Sequence, residues 1–310
     1  MNSTQIESTL LFHLNSLLPS HSIKKVYEYA TLPGGKLFRP NLCWAILQDL
    51  NPTLFNNSSP NPMANHALLA SALEFHHSYT LIHDDLPCMD NDTLRRGKPC
   101  THIAHGEWKA LLAGDGLLNL SYQLLSKIKN QRTLELLQFF SWALGPKGLI
   151  HGQVLDLSHE MTLTFENTLR THELKTARLI QVAILGSAML AQTKNSKLEK
   201  KLWRYSRLLG INFQLIDDLS ELIQGELGQH EKDVNPWLHH PKKALNETLK
   251  NLESFNQLTL ELELNETTKM IKIYYEKMLE ELSSHQSTIE RHLDNQIDIL
   301  PIILMMKGFC

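Results

Sequence analysis

Apolar and polar residues recur through most of the chain with the 3.6-residue period of an amphipathic α-helix. No sustained two-residue alternation, the pattern typical of half-buried β-strands, accompanies that period. We therefore expect an all-α fold, a single large helical bundle formed by residues 1–310 as one domain. The predicted helices include 4–18, 67–85, 241–256 and 262–292, and the apolar segment 299–306 is expected to pack back on the bundle.

Turn-forming residues divide this pattern at a few places. The Asn-, Pro- and Ser-rich segment 51–62 predicts a loop between two helices, and the glycines and prolines of 224–243 predict a long loop that could close over a site. Ser196 followed by Glu199 matches a capping box and predicts the start of a long helix. No segment is typical of a domain boundary.

Composition excludes several classes of protein. The net charge of −3 over 310 residues, without a basic stripe or tail, argues against a general nucleic-acid binder. The first residues lack the basic and apolar segments of a signal peptide, and the apolar run from Leu179 to Ala191 is too short to span a bilayer. We expect a cytoplasmic protein without membrane insertion, whose unpaired cysteines are reduced: Cys43, Cys88, Cys100 and Cys310.

An acidic turn follows the predicted helix 67–85. Pro87 cannot continue that helix, so the acids project from its end, where the helix dipole disfavours bare carboxylates by roughly 0.3–1 kcal/mol. A cation would stabilise this arrangement, and oxygen ligands suit Mg²⁺, which binds one or two carboxylates together with substrate phosphates. The alternative is a solvated acidic turn. The acids are Asp84, Asp85, Asp90 and Asp92, and the cations that follow are Arg95, Arg96 and Lys98.

A second acidic cluster lies on the predicted long helix. Asp217 and Glu221 are i,i+4 neighbours, and Gln214 precedes Asp218 by the same spacing, so the four side chains share one arc. Like charges at this spacing destabilise a helix by roughly 0.2–0.5 kcal/mol unless a cation lies between them. Because this cluster is surrounded by leucine and isoleucine, a metal-binding role is favoured over a solvated face.

A glycine pair predicts a second place for phosphate. Gly34 and Gly35 leave backbone amides accessible to an anion, and Lys36 and Arg39 follow at i,i+3 spacing on one face. The alternative is an ordinary helix-opening turn with solvated cations. His77 lies roughly 10 Å before the first acidic cluster along its helix, close enough to bind a second phosphate.

Two further segments carry polar groups on apolar helices. Gln153 and Asp156 share a helix face, and Lys175 must reach solvent or an anion because an unpaired buried lysine is costly. The small residues of 111–116 predict a close helix crossing, in which Asp115 is structural.

Taken together and in order, these motifs resemble the trans-isoprenyl diphosphate synthases, especially the bacterial short-chain type that makes farnesyl diphosphate. The resemblance covers essentially the whole chain and implies a helical bundle around a central cavity. The motifs are Gly34-Gly35-Lys36-Leu37-Phe38-Arg39-Pro40, Glu74-Phe75-His76-His77-Ser78-Tyr79, residues 81–90 with Arg95-Arg96-Gly97, Gly152-Gln153, Lys175-Thr176 and Phe213-Gln214-Leu215-Ile216-Asp217-Asp218.

The resemblance also implies a role for each matching residue. Mg²⁺, three ions per site, would be bound by Asp84, Asp85 and Asp90 and by Asp217, Asp218 and Glu221. The allylic diphosphate would contact Arg95, Lys175 and Lys232, and isopentenyl diphosphate would be held by Gly35, Lys36, Arg39, His77 and Arg96. Thr176 and Gln214 would face the developing allylic cation, so the catalytic set is Lys175, Thr176 and Gln214. A homodimer is also implied.

Product length has a physical counterpart in the sequence. Tyr79, with its neighbour Thr80, lies roughly 7.5 Å before Asp84 along the helix, where a ring would limit the growing chain. The spacing between Asp85 and Asp90 is similar to that of farnesyl-type bacterial enzymes. We expect a C15 product, the alternatives being C10 or C20.

Two departures from the family pattern leave one further alternative. Leu37 stands where the family has Arg or Lys, and Glu221 where it has Asp, so a non-catalytic partner subunit of a prenyl synthase is also possible. The intact acidic clusters weigh against that alternative. A class I terpene cyclase would need Ser or Thr at position 221 and Glu at position 225, where this chain has Glu221 and Gly225. An HD-type phosphohydrolase would leave the second acidic cluster unexplained.

Overall fold

The computed structural model describes residues 3–55, 61–191, 195–224 and 227–309. Its first helices are α1 Ser3–Leu17, α2 Lys24–Thr31, α3 Phe38–Leu50, α4 Asn65–Asp84, α5 Thr101–His105, α6 Glu107–Ser126, α7 Thr133–Leu144, α8 Leu149–Leu157 and α9 Phe165–His172. They are followed by α10 Arg178–Leu190, α11 Ser196–Glu221, α12 Gln229–Val234, α13 Pro236–His239, α14 Pro241–Leu262, α15 Asn265–Ser284, α16 Gln286–His292 and α17 Leu300–Phe309. The prediction of an all-α fold is confirmed.

Short segments of other types join these helices. Two 3₁₀ turns span Pro52–Phe55 and Glu160–Thr162, and a π-helical segment, Glu173–Ala177, joins α9 to α10. The described residues contain one antiparallel hairpin, β1 Leu94–Arg95 paired with β2 Lys98–Pro99. No helix in the described part of the chain is long and apolar enough to cross a membrane.

Three details differ from the sequence predictions. The N-cap of α11 is Asn195, whose side chain accepts from the amides of Lys197 and Leu198 at 3.1 and 3.2 Å, so the predicted Ser196 cap is wrong. The predicted loop 224–243 contains α12 and α13. The hairpin was not predicted. Residues 56–60, 225–226 and Cys310, on which predictions also fell, lie outside the described residues.

The chain divides into two compact units, unit 1 formed by Met1–Phe139 with Gly186–Thr193 and unit 2 formed by Phe140–Leu185 with Lys194–Cys310. That all 310 residues form one domain stays a prediction.

In unit 1, α4 is the central helix and packs against α3 and α6. Two glycines of α6 allow close approach: a Cβ on Gly114 would lie 2.1 Å from Nε2 of His83, and one on Gly116 would lie 2.0 Å from the hydroxyl of Tyr27. The close helix crossing predicted for residues 111–116 therefore exists, and it fixes the C-terminal half of α4.

In unit 2, α11 is the central helix and packs against α14 and the π-helical segment. An aromatic cluster supports it, in which the rings of Tyr205 and Phe255 stack at 4.8 Å and Phe309 contacts both Phe255 and Tyr275. Such pairs add roughly 0.5–1.5 kcal/mol beyond their buried area. The apolar C-terminal segment thus packs as predicted, as α17.

Candidate active site

The acidic turn, residues 84–92, lies at the end of α4 and folds back on it. The Asp90 amide donates to the Asp84 carbonyl at 2.8 Å, and the Asn91 amide donates to the Leu86 carbonyl at 3.1 Å. Because Pro87 ends the helix, as predicted, the chain reverses here. Asp84, Asp85 and Asp90 are therefore brought to one turn within unit 1.

The hairpin supplies this turn with a cation. Arg95 donates from Nε and Nη2 to Oδ1 of Asp85 at 2.9 and 2.5 Å, and from Nη2 to Oδ2 of Asp92 at 2.6 Å. Asp85 is 3% exposed, so its charge is compensated inside the protein. The positive φ of Arg96 and Gly97, 55° and 74°, closes the hairpin and fixes Arg95 beside the acids.

The cation cradle, which we define as Gly35, Arg39, His77 and Arg96, forms in the same unit. A Cβ on Gly35 would lie 2.6 Å from Cζ of Arg96, so only glycine admits the guanidinium at this distance. Burial lowers the pKa of Arg39 to about 10, while Glu74 opposes and Arg96 adds to that shift. Nε of Arg39 is buried without a hydrogen-bond partner among the described residues. These groups are arranged to receive an anion.

The remaining cations of the predicted substrate sites are more exposed. Lys36, beside the cradle, and Lys232, on α12, are both exposed.

Leu37, the departure from the family pattern, has φ 47° and is 3% exposed, and its side chain packs against Gly34. Its position therefore belongs to the core of unit 1, which is why an apolar residue is accommodated there.

Two acidic residues near the cradle were not predicted to have a role. Glu74 is 2% exposed, and burial raises its pKa although Arg39 and Arg96 lower it. The sequence did carry a signal for Glu74, because an acidic residue within an apolar helical stretch is unusual. Glu7 accepts from the Gly34 amide at 2.9 Å, and no pattern in α1 indicated that contact.

The surroundings of His77, a member of the cradle, favour its neutral form. Its pKa is lowered well below the ordinary value, first by burial and then by Arg39, Arg96 and Arg95 among neighbouring groups. Because Arg95 binds Asp85 and the next residue, Arg96, lies over Gly35, the acids and the cradle adjoin each other within unit 1.

Tyr79 lies one turn below the acidic turn and is 7% exposed. Its ring contacts those of His76 and His83 edge-on, with centroids 4.6 and 5.6 Å apart. Burial and the neighbouring Asp84 raise the pKa of Tyr79 to about 12. Thr80 donates its hydroxyl to the backbone carbonyl of His77 at 2.8 Å. The Tyr79 ring is thus flanked by two imidazoles of its own helix.

In unit 2, the π-helical segment presents the predicted catalytic residues. Lys175 Nζ donates to Oδ2 of Asp156 on α8, so the lysine faces an anion as required. Thr176 donates to Oε1 of Gln214 at 2.8 Å, and Gln214 Nε2 donates to Oδ1 of Asp218 at 2.7 Å. We refer to these bonds as the Thr176–Gln214–Asp218 chain.

Glycines allow this arrangement. A Cβ on Gly152 would lie 2.5 Å from the backbone nitrogen of Lys175, and one on Gly210 would lie 2.5 Å from Cα of Ala177. The wider π turn is typical of functional sites. The close approach of α8 and of α11 to the π-helical segment therefore holds Lys175 and Thr176 in place.

The second acidic cluster lies at the C-terminal end of α11. Asp218 is buried, and Asp217 and Glu221 are half-buried. Asn235 donates to the backbone carbonyl of Asp218 at 2.8 Å, which connects α13 to this end of α11. His172, which the sequence analysis did not single out, has Nε2 3.3 Å from Oδ2 of Asp218, and burial lowers its pKa to about 4.

The donor chemistry of both clusters fits Mg²⁺. No group of three or more His, Cys, Asp or Glu residues in the described ranges is arranged to hold a metal ion. Mg²⁺ does not need such a group, because it is bound by one or two carboxylates and completes its shell with waters and substrate phosphates. Carboxylates that are themselves hydrogen-bonded, such as Asp218, are typical of its ligands.

The α-helical fold, with an acidic cluster in each unit and the cation cradle in unit 1, is consistent with the trans-prenyltransferases that the sequence motifs resemble. A model of the polyprenyl synthetase family matches residues 20–235. The chain therefore belongs to the polyprenyl synthetase family.

Relatives of two product classes are equally similar. Farnesyl diphosphate synthase of Bacillus subtilis is 36% identical over 227 residues, which cover 71% of this chain and 73% of that protein. Geranylgeranyl pyrophosphate synthase of Capsicum annuum is 36% identical over 217 residues, 67% of this chain and 56% of that protein. Identity alone therefore does not separate C15 from C20 synthesis.

Solved structures agree with the fold. The geranyltransferase of Helicobacter pylori, 30% identical, superposes with a TM-score of 0.71 over 88% of this chain and 96% of that one. A second structure of that geranyltransferase, complexed with magnesium and isoprenyl diphosphate, is 28% identical, with a TM-score of 0.72 over the same shares of the two chains.

Proposed function

We propose that this chain condenses isopentenyl diphosphate with dimethylallyl or geranyl diphosphate to give farnesyl diphosphate and diphosphate. The observation that carries the proposal is the adjacency within unit 1 of the acidic turn and the cation cradle, connected by the hairpin, in which Arg95 binds Asp85 and Arg96 lies over Gly35. Two anionic groups bound side by side suit a reaction between two diphosphate esters.

The first diphosphate would be allylic. Asp84, Asp85 and Asp90, together with Asp217, Asp218 and Glu221, would hold up to three Mg²⁺ ions around it. When bound, Mg²⁺ neutralises the charge that the diphosphate leaving group acquires as the carbon–oxygen bond breaks. Arg95, Lys175 and Lys232 would contact the same diphosphate. The Arg95–Asp85 and Lys175–Asp156 pairs keep both cations oriented before substrate arrives.

The second diphosphate would belong to isopentenyl diphosphate. Gly35, Lys36, Arg39, His77 and Arg96 would hold it, with the unsatisfied Nε of Arg39 donating to a phosphate oxygen. The uncharged alkene then lies within reach of the allylic carbon. Burial raises the pKa of the Glu74 carboxyl group beside the cradle, and the charges of Arg39 and Arg96 oppose that shift.

Thr176 and Gln214 would lie along the developing allylic cation. Their oxygen dipoles stabilise positive charge, and the Thr176–Gln214–Asp218 chain fixes their direction. The carbon–carbon bond forms as the alkene attacks, and the released diphosphate is the nearest base for the proton. No side chain is needed as a nucleophile.

A homodimer is part of the proposal. α5 and α6 of unit 1 expose Ile103, Trp108, Leu111 and Leu112, and Trp108 is 61% exposed. A second copy of the chain would cover this apolar face. Light scattering should give the mass of two chains, and Trp108→Glu should shift it toward one. We also propose that the protein acts in the cytoplasm, where its thiols would remain reduced.

Incubation with Mg²⁺, isopentenyl diphosphate and geranyl diphosphate tests the proposal directly. A C15 product that disappears on chelation supports it. No product with either allylic substrate would favour the non-catalytic partner subunit. Extension of added farnesyl diphosphate to C20 would assign the chain to the geranylgeranyl class, to which relatives of similar identity belong.

A further inference from the structure

His172 ends α9, one residue before the π-helical segment, and its side chain is buried against a carboxylate. Its Nε2 lies 3.3 Å from Oδ2 of Asp218, and the two side chains are 6% and 9% exposed. Neither side chain can therefore turn out into solvent, and each limits the rotamers of the other.

The carboxylate of Asp218 is thus contacted on both of its oxygens. Gln214 donates to Oδ1 at 2.7 Å, and Nε2 of His172 lies 3.3 Å from Oδ2, a close polar contact outside hydrogen-bond geometry. A carboxylate held at one oxygen can still rotate about its terminal torsion, whose energy profile is broad. A close contact on the other oxygen restricts that rotation and so limits the directions in which the remaining lone pairs point.

The imidazole can act in this way in only one tautomer. Nε2 must carry the proton in order to face a carboxylate oxygen, which leaves Nδ1 as an acceptor. Nδ1 is buried without a hydrogen-bond partner among the described residues, so the contact to Asp218 is the polar contact that orients the ring.

We propose that His172 is a positioning residue that fixes the carboxylate of Asp218 for Mg²⁺ binding. The inference rests on the proposed function, because it takes Asp218 as a magnesium ligand. Groups that orient a ligating side chain alter metal affinity or activity by about 10–100-fold when they are removed. The same size of effect is expected here.

Two substitutions separate positioning from packing. His172→Leu keeps the volume and removes the donor, whereas His172→Gln keeps an N–H near the position of Nε2. The probe is Mn²⁺ titrated by electron paramagnetic resonance in the presence of inorganic diphosphate, a readout that does not require turnover. We expect H172L to weaken Mn²⁺ binding about 10–100-fold and H172Q to retain most of it.

A matched control comes from unit 1. His13 of α1 is likewise buried, at 1% exposed, and its Nε2 has no hydrogen-bond partner in the described part of the chain, but it lies outside the proposed site. His13→Leu should leave Mn²⁺ binding unchanged even if it lowers the melting temperature. If H172L does not fold, His172→Asn replaces it, because its amide ends short of Asp218.

Mn²⁺ binding by H172L equal to that of the wild type would overturn the inference, as would equal weakening in H172L and H172Q. A wild-type protein that binds Mn²⁺ with diphosphate but forms no prenyl product would refute the proposed function and leave the His172 comparison valid. In an active wild type, H172L should raise the half-saturating Mg²⁺ concentration without changing KM for isopentenyl diphosphate.

Discussion

The guanidinium of Arg96 lies directly over Gly35, at a distance that leaves no room for a Cβ atom. The contact joins the hairpin to the glycine loop and places Arg96 beside Arg39, whose pKa it lowers. Gly35 matters because it leaves space for the end of the Arg96 side chain.

Gly35→Ala tests this contact. The added methyl group would displace a flexible side chain, so we expect little change in melting temperature. Moving Arg96 away from the bound phosphate removes a charge-assisted hydrogen bond of roughly 1.5–3 kcal/mol, which corresponds to an increase of about tenfold or more in KM for isopentenyl diphosphate. Gly308→Ala, where a Cβ meets open space, is the control. An unchanged KM in G35A would contradict the assignment of the cradle.

Gly152→Ala, unlike Gly35→Ala, should lower the stability of the fold. Here a Cβ would lie 2.5 Å from the backbone nitrogen of Lys175, and backbone cannot rotate out of the way. We expect a loss of about 1–3 kcal/mol in the free energy of unfolding, measured in urea, because α8 and the π-helical segment must move apart. Stability equal to that of G35A would show that the π-helical segment is not held by this contact.

Helices were predictable from the sequence because their apolar period is long and regular. The 3.6-residue pattern placed α1 and α4 within a few residues of their observed bounds, and Pro87 marked the end of α4. The cap of α11 was misplaced because Asn195 and Ser196 are both good capping residues, and only the local geometry selects the first.

The hairpin and the π turn could not be predicted in this way. Each strand of the hairpin has two residues, too few for an alternating pattern, and Lys98 ties the hairpin to α2 by donating to the carbonyl of Tyr29 at 2.7 Å. The π turn depends on the approach of Gly152 from another helix. Both are tertiary features, which local sequence does not encode.

The same distinction between local and tertiary features separates the site residues that were predicted from those that were missed. Residues within one motif, such as Asp84 and Asp90, were predicted together, and their backbones are joined in the acidic turn. His172 and Glu7 were missed because their partners, Asp218 and Gly34, lie far from them in sequence. A polar residue gains its role from such partners.

Glu221, the acid that differs from the family pattern, gives a graded prediction. Asp217→Ala removes a proposed magnesium ligand and should lower kcat by about 10²–10³, the loss seen when one group that stabilises transition-state charge is removed. Glu221→Asp keeps the carboxylate and shortens the side chain by one methylene. The rate should therefore change by less than about tenfold, the effect of losing roughly one hydrogen bond. Initial rates measured across a Mg²⁺ titration check both variants. A loss in E221D as large as that in D217A would mean that the longer side chain is essential.

Buried neutral histidines predict sensitivity to acid. Burial lowers the pKa of His13 to about 4 and that of His76 to about 3, and both side chains are 1% exposed. The unfolded chain therefore binds protons below pH 6.5 that the folded chain does not bind, so stability falls as the pH falls from 6.5 toward 4. Each histidine contributes a slope of about 1.4 kcal/mol per pH unit.

Urea unfolding at pH 7, 6 and 5 measures this slope. His13→Gln should reduce it by the share of one histidine, and His13→Gln combined with His76→Gln by the share of two. Between pH 7 and 8 the variants and the wild type should have parallel profiles, because both states are then deprotonated at these sites. A wild-type stability that is independent of pH between 6.5 and 5 would be inconsistent with neutral burial.

Tyr79 supplies the test of product length. Its ring is buried one turn below the acidic turn and is supported edge-on by His76 and His83, so it can limit the growing chain only while the ring is present. Tyr79→Ala should open space along α4 and shift the product from C15 toward C20 or longer, as measured by chromatography of the dephosphorylated alcohols. Tyr79→Phe keeps the ring and loses only the hydroxyl, so its product should remain C15. Because the supporting histidines belong to the same helix, the opened space should extend along α4. The same product distribution in Y79A and Y79F would place the limit on chain length elsewhere in the protein.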